Sequence, residues 1–124
     1  VLLLDDPKVI TKKIKSAVTD SGREVVYDVN EKPGVANLLS ILSAVTGRAI
    51  PELEAEYGTA GYGTFKAAVA DAVVESLRPV RERYEELAAD PGEVSRLLAD
   101  GAQKAQSLAA PVLDRAKRAM GLLL

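Results

Sequence analysis

Two groups of residues in this chain have types and spacings that could do chemistry. The first is the stretch Tyr57-Gly58-Thr59-Ala60-Gly61-Tyr62-Gly63, followed three residues later by Lys66. Aromatic faces beside a cation at a helix start suit the stacking of unpaired nucleic-acid bases. The same glycines are spaced like part of a phosphate loop, but the Gly-Lys-Ser/Thr ending is missing and no strand precedes them. By pattern alone the stretch reads as a connector with left-handed turns. The second group lies between Pro7 and Arg23, where Lys8, Lys12, Lys13, Lys15 and Arg23 face only one acid, Asp20. Clustered lysines on a helix can neutralise phosphates and release counterions, although a solvated helix face gives the same pattern.

Other chemistries are closed off by what is missing. The 124 residues contain no His and no Cys. That excludes Ser-His-Asp triads, HExxH zinc sites, thiolate metal sites and Cys nucleophiles. Thr19-Asp20-Ser21 offers hydroxyls and an acid but no base, so it reads as turn or capping chemistry. Along Glu75 to Glu86, Arg78–Glu82 and Arg81–Glu85 are four apart, the spacing of surface ion pairs. The carboxylates form no general-acid pair. The net charge of −2 carries no global nucleic-acid signal. Apolar runs are too short to span a membrane, and Val1-Leu2-Leu3-Leu4 lacks the basic flank of a signal peptide. An apolar start without Met suggests a chain cut from something longer.

The elements that must position these groups are helical. With one Phe, four Tyr and no Trp, the core has to come from Leu, Val, Ile and Ala. Asp6-Pro7 opens a first helix as N-cap and first-turn proline, with Ile10, Ile14 and Val18 as its inward stripe. Breakers at Asp20-Ser21-Gly22 and Lys32-Pro33-Gly34 flank a short extended piece at Val25-Val26-Tyr27. A second helix is expected from about Val35 to Thr46, stopped by Gly47. A third starts near Pro51, with Glu52, Glu54 and Glu56, and ends at Tyr57-Gly58. The fourth is long, about Thr64 to Ala89, with Phe65, Val69, Val73, Leu77, Val80, Tyr84 and Leu87 as its stripe and a kink at Pro79. The fifth opens on Asp90-Pro91-Gly92-Glu93, a capping box, and runs through Leu97, Leu98, Leu108 and Val112 with interruptions at Gly101 and Pro111. The expectation is an all-α bundle of about five helices forming one domain over 1–124.

As a string, the sequence also resembles a known family. Leu3-Leu4-Asp5-Asp6-Pro7-Lys8 and Lys12-Lys13-Ile14-Lys15-Ser16-Ala17-Val18-Thr19-Asp20-Ser21 are similar to the segment after the KMSKS loop of bacterial tryptophanyl-tRNA synthetases. The similarity continues through Lys32-Pro33-Gly34-Val35, Leu53-Glu54-Ala55-Glu56-Tyr57, Gly61-Tyr62-Gly63-Thr64-Phe65-Lys66, Leu77-Arg78-Pro79 and Gly101-Ala102. It implies a class I enzyme that uses ATP, with magnesium, to activate L-tryptophan and attach it to its tRNA. It also implies a cytoplasmic homodimer. This chain would be its C-terminal helical, anticodon-recognising part, inactive alone, with no cofactor of its own. ATP would be held by a catalytic domain outside these residues. Ala60 and Val26 stand where the family commonly has Lys and Arg, which removes positive charge at both places. Pro51 and Pro111 are also unusual.

Within that frame, residue type points to Tyr62 and Lys66 for anticodon contact, and to Lys12, Lys13 and Lys15 for the tRNA backbone. The helix beginning near Pro7 would couple motion of the KMSKS loop to the bundle. The alternatives are a stand-alone helical scaffold or protein-interaction module, or the equivalent region of a tyrosyl-tRNA synthetase. The KKIKSAVTDS and GYGTFK strings fit the tryptophan enzyme better.

Overall fold

Local signals decide where most of the helices begin. In the computed structural model, which describes residues 1–122, α1 spans Pro7–Lys15, α2 Pro33–Thr46, α3 Ile50–Tyr57, α4 Tyr62–Ala89 and α5 Pro91–Ala119. No strand occurs among the described residues, so the protein is all-α. The Asp6 carboxylate accepts from the Lys8 amide at 2.8 Å and caps α1, with Pro7 in its first turn. α2 begins two residues before the expected Val35, because Pro33 is itself a good first helical residue. It stops at Gly47, whose φ of 72° is left-handed. Gly61, at φ 79°, makes the turn into α4. Val25, Val26 and Tyr27 form no strand, and the Asp28 amide turns back to the Val26 carbonyl. Instead, the Val25 amide donates to the Gly58 carbonyl and the Tyr27 amide to Glu54 Oε1.

Several expectations are corrected. The α1 stripe stops at Ile14, because the helix ends at Lys15 and Val18, beyond it, is 88% exposed. Pro79 lies within α4 without ending it, as expected, whereas neither Gly101 nor Pro111 interrupts α5. A single missing amide, or a glycine costing about 1 kcal/mol, is outweighed by helix formers on both sides. The capping box at Asp90 is half made. Its carboxylate accepts from the Glu93 amide at 3.0 Å, but the Glu93 carboxylate turns to Arg96 at 2.7 Å. Arg78 pairs with Glu82 as expected and with Glu75 as well. Arg81 forms no pair with Glu85, and its Nη1 is out of water without a hydrogen-bond partner.

The chain divides into two compact units, Val1–Glu82 and Arg83–Leu124. The core lies in the first. Ile10, Val25, Val35, Leu39, Leu53, Phe65 and Val69 are fully enclosed, and Ile14, Leu38, Leu42 and Val73 nearly so. α3 lies against α2. The Tyr57 ring packs on Phe65 with centroids 5.7 Å apart, tilted by 51°. Burying a side chain such as Phe65 or Leu39 stabilises this unit by about 1.5–3 kcal/mol. In the second unit no α5 side chain is buried, and Leu98, Leu108 and Val112 stand 69%, 77% and 54% exposed.

Candidate nucleic-acid interface

Tyr62 and Lys66 lie one turn apart at the start of α4, and both reach the segment that follows α1. The Tyr62 hydroxyl donates to Asp20, 2.7 Å from Oδ1 and 2.8 Å from Oδ2, and accepts from Lys32 Nζ at 3.0 Å. Lys32 Nζ is also 3.6 Å from Asp20 Oδ1 and 5.6 Å from the centre of the Tyr62 ring. A further hydrogen bond runs from Lys32 Nζ to the Glu24 carbonyl. Asp20 closes its own turn by accepting from the Gly22 amide at 2.7 Å, the role its sequence setting suggests.

The electrostatics follow from this geometry. The Tyr62 hydrogen bond, against some desolvation and with help from the Gly22 amide and the Lys32 charge, holds the Asp20 carboxyl below its ordinary range. Lys32 is pushed up by its bond to Tyr62 and by the Asp20 charge. Burial raises the Tyr62 phenol. All three groups therefore keep their ordinary ionisation more firmly than they would in water.

Lys66 Nζ donates to the Ala17 carbonyl at 2.8 Å and to Thr19 Oγ1 at 2.9 Å. The Ala17 amide bonds back to the Ile14 carbonyl, so Lys66 fastens the last turn of α1 to the first turn of α4. Gly34 completes the clamp. A Cβ there would overlap the Val18 carbonyl oxygen, so the start of α2 lies directly against the Val18–Thr19 backbone.

The α1 lysines sit differently. Lys13 Nζ is 2.7 Å from Asp5 Oδ2, which also accepts from the Leu2 amide. These two bonds, the amide's being the stronger influence, lower the Asp5 carboxyl. Lys12 and Lys15 are exposed, and their ammonium groups have no hydrogen bond or ion pair among the described residues. The structure thus gathers Tyr62 and Lys66 onto one segment and leaves Lys12 and Lys15 open to solvent. Asp20 and Lys32 were missed as their partners, because separations of 42 and 30 residues from Tyr62 leave no local trace.

Other chemistry finds no support in these residues. Among the described residues no group of three or more acidic side chains gathers to hold a metal ion. The Gly58 amide is taken by the Glu54 carbonyl and the Ala60 amide by the Tyr57 carbonyl, so neither donor is free to cradle ATP phosphates. A hollow lined by Asp100, Gln103, Lys104 and Ser107 uses one face of α5 alone and encloses nothing. Among the described residues no helix is long and apolar enough to cross a membrane.

Comparisons with known proteins converge. Residues 1–78 match the family described as tRNA synthetases class I (W and Y). The chain is 55% identical over 123 residues to a tryptophan–tRNA ligase 1 of Streptomyces coelicolor, covering 99% of this chain and 36% of that protein. It is 49% identical over 122 residues to a tryptophan–tRNA ligase of Oceanobacillus iheyensis, covering 98% of this chain and 37% of that one. The crystal structure of a tryptophanyl-tRNA synthetase from Mycoplasma pneumoniae superimposes with a TM-score of 0.77 at 28% identity, over the whole chain and 39% of that protein. The chain therefore spans little more than a third of the length of the relatives it matches.

Proposed function

The chain belongs to the class I tRNA synthetases of the tryptophan and tyrosine type, and from that membership we propose that it is the helical part of a tryptophan–tRNA ligase. The observation that carries this reading is 55% identity to a tryptophan–tRNA ligase over 99% of the chain. The parent activity would be ATP-dependent activation of L-tryptophan and its transfer to tRNA by a cytoplasmic homodimer. On this reading the chain follows the KMSKS loop, recognises the anticodon side of the tRNA, and is inactive alone.

On this reading α1 would couple a loop upstream of it to the bundle. Its end is tied through Lys66 to α4 and through Asp20, Tyr62 and Lys32 to α4 and α2. These bonds give a displacement of α1 a direct route to the start of α4. For the tRNA face, Lys12, Lys13 and Lys15 supply positive charge toward the backbone. Tyr62 and Lys66 reach an anticodon group by exchanging Asp20 or Ala17 for it.

The test is a chimera in which this chain replaces its matching segment in the Streptomyces coelicolor ligase. The chimera should charge tRNA with tryptophan, whereas the isolated 124-residue chain should neither activate tryptophan nor hydrolyse ATP. A folded chimera that binds tryptophan and ATP but charges no tRNA would sink the assignment. So would activation by the chain alone.

A further inference from the structure

Four lysines lie on α1, and they do not share one face. At about 100° per residue, Lys12 and Lys15 fall within roughly 40° of Lys8, giving a sector about 60° wide on the helix surface. Ile10 and Ile14, buried in the core, lie on the opposite side. Lys13 is turned about 100° away from Lys12 and is paired with Asp5. Lys8, Lys12 and Lys15 are all exposed, with no hydrogen bond or ion pair from any of the three ammonium groups among the described residues.

Nearby acids do not neutralise this line. Asp6 is used by the Lys8 backbone amide as helix cap, Asp5 by Lys13 and the Leu2 amide, and α1 contains no acid. The result is a row of three unpaired point charges on a short rigid rod. The rod is fixed at its C-terminal end by the bonds from Lys66 to Ala17 and Thr19.

We propose that Lys8, Lys12 and Lys15 form one edge that contacts the phosphate backbone of a tRNA stem, with Lys8 a member and Lys13 not. The proposal rests on the tRNA reading above and adds which charges touch the RNA. Lys8 to Lys15 spans about 10 Å along the helix axis. Neighbouring phosphates along one RNA strand lie roughly 6 Å apart, so the edge is long enough to meet two or three of them. Lysine heads without an aromatic among them read backbone charge and no base identity. Lys13, held by Asp5, adds long-range attraction but no direct contact.

The experiment is a binding titration of this chain with a tryptophan-accepting tRNA transcript between 50 and 200 mM salt, with helical content checked by circular dichroism. Lys8→Ala, Lys12→Ala and Lys15→Ala should each flatten the log–log salt slope by about 0.7–0.9 and weaken binding about fivefold to tenfold near 100 mM. Lys13→Ala should leave the slope unchanged, and Lys8→Glu should weaken binding more than Lys8→Ala. An unrelated RNA duplex should compete within a few-fold, and polyglutamate should not. If the unaltered chain binds tRNA while Lys8→Ala matches it, the edge is wrong, as it is if Lys13→Ala costs as much as Lys12→Ala. Equal competition by polyglutamate overturns the RNA assignment. If the unaltered chain binds no tRNA at 50 mM salt, tRNA recognition fails and this edge fails with it.

Discussion

Replacing Gly34 with alanine should weaken the first unit, although helix propensity taken alone points the other way. Gly34 is the second residue of α2. In a helix interior alanine is favoured over glycine by about 0.8–1.0 kcal/mol. Against that gain stands a steric conflict with backbone atoms. A Cβ at Gly34 would overlap the Val18 carbonyl oxygen and lie 3.2 Å from its carbon and 3.3 Å from Thr19 Cα. None of these atoms is the tip of a flexible side chain that could swing away. To make room, the Val18–Thr19 backbone must move, and it carries the Ala17 and Thr19 groups that bind Lys66.

Overpacking costs about 1–3 kcal/mol, and overlap with backbone atoms puts this case at about 2–3, which leaves a net loss of about 1–2 kcal/mol after the propensity gain. Gly101→Ala is the internal control. It lies within α5 with nothing within 4 Å of its Cβ, so it should stabilise the second unit by up to about 1 kcal/mol. Urea unfolding followed by far-ultraviolet circular dichroism gives the midpoints. Native-state amide exchange at Leu39 and Ala105 assigns each change to its unit. A Gly34→Ala midpoint at or above that of the unaltered chain would refute the argument that backbone contact, not helix propensity, governs this position.

Phe65→Ala empties a fully enclosed site and should cost about 3–5 kcal/mol in urea unfolding, with loss of the near-ultraviolet Tyr57 signal as its ring neighbour disappears. Lys66→Met keeps the apolar stem but removes both donors to the α1 end, so a loss of about 1–2 kcal/mol and faster amide exchange at Ala17 are expected. Equal stability would show that those bonds do not hold the segment. For Asp20, the folded carboxyl lies below its ordinary value of 3.8. Its contribution is therefore complete above that value and is lost as pH falls through the lower folded one. Asp20→Asn should accordingly be less stable than the unaltered chain at pH 7, with the gap closing as the pH drops below about 3.8. A gap that persists unchanged to the acid limit would contradict the assignment.

What was readable in the sequence is what short-range chemistry decides. Asp6-Pro7, Gly47 and the Phe65–Val69–Val73 spacing act within a turn or two, and each does in the structure what its type suggests. The end of α1 was not readable. The helix stops before Val18 at the place where Gly34 and Lys66, from α2 and α4, press on and bond to the segment that follows. The capping box at Asp90 is closed on one side only, since Arg96 offers the Glu93 carboxylate a charged partner within one turn. In the candidate interface, Tyr62 and Lys66 stood out by residue type and position. What they bond to depends on which distant loop the fold brings beside them. Membership in the family was legible as a string long before any single position had a role.

The bareness of α5 has a consequence for how this sequence can change over generations. From Asp100 to Ala116 every residue is exposed, so within this chain substitutions there act mainly through helix propensity and cost tenths of a kcal/mol. A change at Leu39 or Phe65 costs ten times that. Mutations can therefore accumulate along the second unit at a rate that α2 and the first half of α4 would not survive. Relatives should differ most along that stretch wherever no partner covers it.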